Sequence, residues 1–373
     1  MKKLMTQEEF WKKKMMISYL LAIFVFLIHI STYSNYTHNG GFCSSLADIF
    51  NQMNTRCTRV AVPLFFILSG VAFFRNFNMG MYQKKMKKRF HSLVIPYLSW
   101  NIISLVFAVV TTLYLSKYFV GRIPFEFTVK NTLQTIFLHK QNIPFWFILS
   151  LIYFVILTPV FYLLLKNKVV GLIAILLAIV LFIIDPVEIQ LFGQTLNFRT
   201  KVPSFIFHDS DSIIHYMIGA YIGLHRFDIL KYKNKWLSLV GVALFIVCSI
   251  LLYFYAGGHG KNLMESTDKL KHFYWICLIL TDCFALYYAF DFVVDHVKFR
   301  PFMGHSFWVY ALHLNLSAII TKLLFFGTGD RICLSFVNLV LTIIITLVII
   351  ELIQMLLKKY CKPLHRILSG DRT

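Results

Sequence analysis

One histidine and one pair of arginines have the clearest potential for chemistry in this chain. His29 lies near the end of the first long apolar segment, and Arg56 and Arg59 stand three positions apart directly before the apolar run 60–70. An imidazole titrates near neutral pH and can serve as a general base or a nucleophile. Two guanidinium groups one helical turn apart can bind a phosphate, a carboxylate or a developing oxyanion. The alternatives are a structural histidine bonded to a neighbouring backbone or serine, and two cations that anchor a helix end.

Three further polar residues lie inside apolar segments, where ionisable groups are uncommon. Tyr310 and His313 are spaced i, i+3, so on a helix they share one face. Asp282 lies near the middle of its segment, and its burial needs a partner, for which His313 or an arginine would serve. A structural pairing and a catalytic role are both open for these residues.

Two more candidates are Ser69 and Trp146. Ser69 precedes Gly70, and glycine at this depth permits close packing of helices, which is the alternative to a role in a site. Trp146 follows Ile143-Pro-Phe at the start of an apolar segment. It lines a site or belongs to an aromatic belt.

The composition indicates that these residues lie in a membrane protein. Of the 373 residues, 58% are hydrophobic and 14% are charged, and the mean hydropathy is +0.68. The apolar residues form long blocks between short polar stretches, which is typical of a polytopic membrane protein. The net charge of +20 comes from cations in the short loops, so we expect no nucleic-acid partner. No nucleotide-loop, dinucleotide or zinc-protease motif is present, and we expect no metal or bound cofactor.

We predict an all-α protein with about ten transmembrane helices. With the N-terminus in the cytoplasm, 24 of the 37 Lys and Arg residues lie on the cytoplasmic side, which fits both termini inside. We expect one integral-membrane domain over 1–373, with 1–14 and 358–373 as cytoplasmic ends. The predicted spans are about 15–34, 59–77, 92–116, 145–165, 169–185, 212–227, 236–256, 272–294, 302–327 and 331–357.

This orientation places His29 and the arginine pair in the same outer layer. His29 stands fifteen residues beyond Lys14, or roughly 22 Å along a helix. Cys43 and Cys57 share an outer loop, where a disulfide is possible in an oxidising compartment.

In this combination the chain resembles the membrane acyltransferase 3 family of bacterial surface-glycan acyltransferases. The resemblance covers most of the chain. It rests on His29, on Arg56-x-x-Arg59 before Val-Pro-Leu-Phe-Phe-x-x-Ser-Gly70, on Phe145-Trp146-Phe147 and on Gly304-x-Ser306-Phe-x-x-Tyr310-x-x-His313.

The resemblance implies about ten helices around a core cavity and transfer of an acyl group, commonly acetyl from cytoplasmic acetyl-CoA. The acceptor is a hydroxyl of a cell-surface, exported or lipid-linked glycan, and the location is the bacterial cytoplasmic membrane. The family's histidine corresponds to His29 and its arginine pair to Arg56 and Arg59. Where the family often has an arginine, this chain has Ser18, so Lys12–Lys14 or Lys84–Arg89 would hold the CoA phosphates.

We expect His29 to be catalytic, either as the base that deprotonates the acceptor or as a transient acyl carrier. Arg56 and Arg59 would bind the oxyanion or donor phosphate, and Ser69, Trp146, Asp282, Tyr310 and His313 would line the cavity. The main alternative is a transporter or flippase for a glycan or lipid-linked glycan, although we detect no paired repeats. A membrane sensor or anchor is a third reading, and it gives His29 no essential role.

Overall fold

The computed structural model describes residues 3–31, 57–114, 125–184, 188–191, 194–197, 211–255, 269–328 and 332–371. These residues are mainly helical, as the long apolar blocks predict. The α-helices are α1 Gln7–Ser31, α2 Ala61–Phe74, α3 Tyr82–Arg89, α4 Ile95–Tyr114, α5 Val129–Leu138, α6 Trp146–Ile156, α7 Thr158–Leu165, α8 Lys168–Ile184, α9 Ser212–His225, α10 Lys235–Tyr255, α11 Lys269–His296, α12 Ser306–Thr328, α13 Ile332–Tyr360 and α14 Lys362–Ser369.

Short elements connect or extend these helices. A π-helical segment, Phe90–Val94, joins α3 to α4. The 3-10 segments are Met79–Met81, Ile143–Phe145, Phe227–Lys231 and Pro301–Gly304. The strands are β1 Lys3–Leu4, β2 Glu188–Leu191, β3 Gln194–Asn197 and β4 Tyr232–Lys233, paired antiparallel as β1 with β4 and β2 with β3.

Among the described residues, five helical stretches are long and apolar enough to cross a membrane: Gln7–Ile30, Met79–Tyr114, His272–His296, Ser306–Leu324 and Leu339–Tyr360. A sixth is the pair Ile143–Ile156 and Thr158–Leu165, which is bent by 64°. The helices Ala61–Phe74, Lys168–Ile183 and Lys235–Leu251 are apolar but shorter. Each of the ten predicted spans overlaps a helix, although some described span ends, such as residues 59–60, 75–77 and 226, lie in turns or irregular chain. The protein is therefore all-α and membrane-like, while the number of crossings, the cavity and the orientation stay predictions.

The chain divides into two compact units. The first unit comprises Met1–Leu21, Arg56–Met86 and Tyr153–Met303, and the second comprises Ala22–Thr55, Lys87–Ile152 and Gly304–Thr373. Helix α1 therefore contributes its first half to one unit and its second half to the other.

In the first unit, glycines allow α2 and α9 to pack backbone against backbone. A Cβ on Gly70 would lie 2.5 Å from the carbonyl oxygen of Tyr216, and one on Gly219 would collide with the carbonyl of Ile67. Small residues permit this close approach between membrane helices, where packing rather than the hydrophobic effect drives association. The predicted packing role of Gly70 is therefore confirmed. It fixes the helix that also carries Ser69.

In the second unit, the outer half of α1 packs against α13. Phe26 and Ile30 of α1 form a buried apolar cluster with Leu339 of α13. This packing fixes the rotation of α1 about its axis, because residues three and four apart lie on the same side of a helix. It therefore also fixes the direction in which His29, between Phe26 and Ile30, leaves the helix.

Candidate functional site

The hydrogen bond of His29 determines which ring nitrogen of the neutral imidazole carries the proton. His29 is partly buried on α1, and its Nδ1 stands 2.8 Å from the backbone carbonyl oxygen of Val25. A carbonyl oxygen can only accept a hydrogen bond, so the proton of the neutral imidazole lies on Nδ1. The lone pair is then on Nε2, and His29 has the electronic form that a general base requires.

His313 lies beside His29 within the second unit. The two ring centroids are 5.1 Å apart and the rings are inclined by 56°. His313 is fully buried, and Nδ1 donates to the carbonyl oxygens of Val309 and Tyr310 at 3.1 and 2.8 Å. Its Nε2 has no hydrogen-bond partner among the residues that the structure describes. The two rings are therefore adjacent, and in their neutral forms both carry the lone pair on Nε2.

Tyr310 is held by aromatic and backbone contacts. Its ring stacks on Phe145 at 5.5 Å and 28°, and meets Phe147 edge-on at 6.0 Å. Its hydroxyl donates to the carbonyl oxygen of Pro144. Tyr310 thus links α12 to the segment that opens α6. It lies 6.3 Å from His313 between ring centroids, so the predicted shared face of Tyr310 and His313 is observed.

Trp146 begins α6, next to these rings in sequence. It is partly buried and contacts Phe147 edge-on at 6.5 Å. The structure therefore brings together four elements of the predicted site in one unit: His29, His313, Tyr310 and the aromatic opening of α6.

The other predicted site residues belong to the first unit. Arg59 is exposed and lies in the turn before α2, Ser69 is partly buried on α2, and Asp282 is fully buried on α11. Arg56 lies outside the described residues, as does Cys43, so the arginine pair and the possible disulfide stay predictions.

Asp282 differs from expectation, because neither carboxylate oxygen has a hydrogen-bond partner within the described part of the chain. No group of three or more His, Cys, Asp or Glu there could hold a metal ion.

Sequence reasoning missed a buried ion pair in the first unit. Lys13 is completely buried, and its Nζ lies 2.6 Å from Oδ1 of Asp291 and 3.7 Å from the ring centroid of Tyr287. Lys13 reads as one of three consecutive lysines in a cytoplasmic tail, but α1 already begins at Gln7. The signal was the matching Asp291, an acidic residue at the end of an apolar helix.

A histidine–carboxylate contact lies in the second unit, at the start of α12. His305 Nδ1 is 2.8 Å from Oε2 of Glu351 on α13. One turn further along α13, the Gln354 amide donates to Nε2 of His365 at 3.1 Å, and the His365 ring stacks on Trp308 at 5.3 Å. Burial and the nearby Lys358 and His305 lower the pKa of His365, so this ring is neutral near pH 7.

One of the three comparisons with known proteins gives a match, and it identifies a family. A family model described as an acyltransferase domain, that of the acyltransferase 3 family, matches residues 19–351 of the 373. No curated protein matches the chain, and no solved structure matches it. The matched region contains every residue of the His29 and His313 cluster.

Proposed function

The chain belongs to the acyltransferase 3 family, and on that premise we propose that it moves an acetyl group from acetyl-CoA to a hydroxyl of a cell-surface, exported or lipid-linked polysaccharide. The family makes the protein a membrane acyltransferase. The donor, the acceptor and the acetyl group are our proposal, as are ten membrane crossings, cytoplasmic termini, a single domain over 1–373 and location in the bacterial cytoplasmic membrane.

The observation that carries the proposal is the fixed tautomer of His29. Because Nδ1 is committed to the carbonyl of Val25, Nε2 is the atom that accepts a proton. In the proposed step, Nε2 takes the hydroxyl proton while the acceptor oxygen attacks the thioester carbonyl carbon. The carbon–sulfur bond then breaks, and the imidazolium returns the proton to the departing CoA thiolate. The products are the ester and free CoA, and His29 is regenerated.

His313 supports this step from the adjacent position. Its Nε2 lone pair is buried and 5.1 Å separates its ring centroid from that of His29, so it can accept a hydrogen bond from the incoming sugar. Tyr310 positions His313 through the stack on Phe145 and the hydrogen bond to Pro144. In the same proposal Arg56 and Arg59 stabilise the oxyanion or hold donor phosphate, and Ser69, Trp146 and Asp282 line the cavity.

The test is His29→Ala, with acetyl groups on the surface polysaccharide measured by mass spectrometry at matched protein levels. Loss of a positioned base predicts a rate about 10²–10⁴-fold lower. The matched control is His296→Ala, because His296 makes the same bond to the carbonyl four residues earlier, at 2.7 Å to Phe292, but lies exposed. We expect the control to retain normal transfer. Normal acetylation in His29→Ala would refute the mechanism.

The same experiment separates the enzyme from the transporter. An enzyme that lacks its base leaves unmodified polysaccharide at the cell surface. A transporter that lacks an essential histidine leaves the polysaccharide inside the cell. A stable acetyl adduct on His29 in the native protein, seen by mass spectrometry after rapid quenching, would instead establish covalent transfer.

A further inference from the structure

The last helix, α14, packs against the ends of three other helices of the second unit. Trp100 of α4 donates from Nε1 to the carbonyl oxygen of Leu368 at 3.0 Å, and the His365 ring stacks on Trp308 of α12 at 5.3 Å. A single residue, Cys361, separates α14 from the end of α13. Helices α4, α12 and α13 each belong to a stretch that is long and apolar enough to cross a membrane. Helix α14 therefore lies at one edge of the membrane-crossing part of this unit.

The side of α14 that faces away from these helices carries exposed apolar residues. Leu364 and Ile367 are 40% and 44% exposed, and they stand three residues apart, so they share one side of the helix. Tyr360, just before α14, is 72% exposed. Apolar groups exposed together mark an interaction surface, and tyrosine is frequent where a membrane meets water. At the edge of a membrane-crossing unit, such a surface fits the interfacial layer of the bilayer.

Four exposed cations stand next to these residues in the sequence: Lys358, Lys359, Lys362 and Arg366. Arg366 lies 3.9 Å from the carboxylate of Asp371. The three lysines form no ion pair with a carboxylate in the part of the chain that the structure describes. Lysines and arginines clustered at the end of a membrane helix or on an amphipathic helix attract anionic lipid headgroups. The charge of this segment thus complements the headgroup layer that its apolar residues would enter.

We propose that the C-terminal surface binds anionic phospholipids of the bilayer. By the C-terminal surface we mean the exposed side chains at the end of α13 and on α14, which are Lys358, Lys359, Tyr360, Lys362, Leu364, Arg366 and Ile367. The cations bind headgroup phosphates, while the two aliphatic side chains contact the acyl chains below them. This inference is independent of the proposed acyl transfer. It changes the expected role of residues 358–373 from a cytoplasmic end to a segment attached to the membrane surface.

Lipid binding at the C-terminal surface acts on the rest of the second unit through the opposite side of α14. That side is held by the stack of His365 on Trp308 and by the hydrogen bond from Trp100. A ligand that binds the docked helix shifts the equilibrium toward the docked state. We therefore expect anionic lipid to slow the local opening of α14.

The test is hydrogen–deuterium exchange of the full-length protein in two kinds of nanodisc, one of phosphatidylcholine and one of an equal mixture with phosphatidylglycerol. In the mixed nanodiscs the amides of residues 362–369 should exchange severalfold more slowly, because bound lipid reduces their opening. Lys359→Gln with Lys362→Gln should remove most of this difference, since each cation near an anionic surface contributes about fivefold in affinity. The matched control is Lys130→Gln with Lys140→Gln, which removes the same charge from exposed lysines outside the C-terminal surface. It should keep the difference.

A second variant tests the apolar contact. Leu364→Gln with Ile367→Gln keeps all four cations, and it replaces side chains that are already exposed, so the fold should be preserved. This variant should also lose part of the difference between the two nanodiscs. An unchanged difference would overturn the placement of α14 in the headgroup layer.

Three results would overturn lipid binding as a whole. The first is equal exchange of residues 362–369 of the native protein in both kinds of nanodisc. The second is equal protection by soluble glycerol phosphate in phosphatidylcholine nanodiscs, which would make a free phosphate the ligand. The third is protection that appears only when two copies share a nanodisc, whatever the lipid charge, which would assign the C-terminal surface to a second copy of the chain.

Discussion

Helix α11 carries two buried aspartates whose surroundings differ sharply. Asp291 is 1% exposed and binds the Lys13 ammonium at 2.6 Å. Asp282, nine residues earlier, is fully buried, and both of its oxygens lack a hydrogen-bond partner within the described residues. Burial of a carboxylate is costly unless it is paired. One aspartate therefore has a structural partner in place, and the other has none among the described residues.

The same contrast recurs on α12 in the second unit. His305, at the start of the helix, contacts Glu351 at 2.8 Å. His313, eight residues further along, has a buried Nε2 without a partner among the described residues. In both units the residue nearer the predicted cytoplasmic end is paired, and the deeper one is not. Unpaired ionisable groups at membrane depth are sites of function by default. The comparison separates ionisable residues with a structural partner from those without one among the described residues.

The largest effect should come from breaking the paired aspartate. Lys13→Met leaves a buried carboxylate without its cation and should destabilise the protein by about 3–5 kcal/mol. The measurement is unfolding of the purified protein by SDS titration. Lys13 also packs on Tyr287 at 3.7 Å, so Met is chosen to preserve most of the side-chain volume.

A double variant supplies the control. Lys13→Met with Asp291→Leu removes both charges, and most of the lost stability should return, because apolar side chains often replace a buried pair at little cost. If the single variant were as stable as the native protein, Asp291 would not depend on Lys13, and the contrast with Asp282 would disappear.

A smaller effect on stability is expected at the unpaired aspartate. Asp282→Asn replaces a group that has no partner in the described structure, so the free energy of unfolding should change by less than about 1 kcal/mol. Acyl transfer should nevertheless fall, because the proposed cavity would lose a carboxylate. Asp291→Asn, the matched variant on the same helix, should show a large loss of stability instead. Equal destabilisation by the two variants would mean that Asp282 is structural.

The sequence predicted the helices because apolar blocks and short spacings are local properties. Each apolar block is helical, and the i, i+3 spacing of Tyr310 and His313 does place both on one face. The approach of His29 to His313 was not predicted, because it depends on how α1 packs against a helix far away in sequence. The sequence suggested instead that His313 or an arginine pairs with Asp282 and that His29 lies in one layer with the arginine pair.

The ion pair between Lys13 and Asp291 could not be predicted, for a reason that concerns charge. A lysine among three lysines looks solvated, because charge patterns carry no information about which member turns inward. Lys13 turns inward because its position on α1 faces Asp291, while Lys12 and Lys14 point elsewhere. The choice is made by helix rotation, which tertiary packing sets.

The smallest expected effect is the pH dependence of stability that His365 on α14 contributes. His365 is a titratable group outside the predicted spans. It accepts a hydrogen bond from Gln354, which requires the neutral ring, and burial together with Lys358 and His305 lowers its pKa in the folded state. The unfolded chain therefore binds a proton more readily, and stability is complete above the unfolded pKa near 6.5 and lost as the pH falls below it. One such group contributes at most about 1.4 kcal/mol per pH unit.

His365→Gln isolates this contribution. The native protein should lose more thermal stability between pH 7.5 and 5.5 than the variant, because the variant has no proton to gain at this position. Gln keeps a polar group next to Gln354 but gives up the stack of the imidazole on Trp308, so its stability at pH 7.5 serves as the reference for both curves. Parallel loss in the two proteins would show that acid sensitivity arises elsewhere.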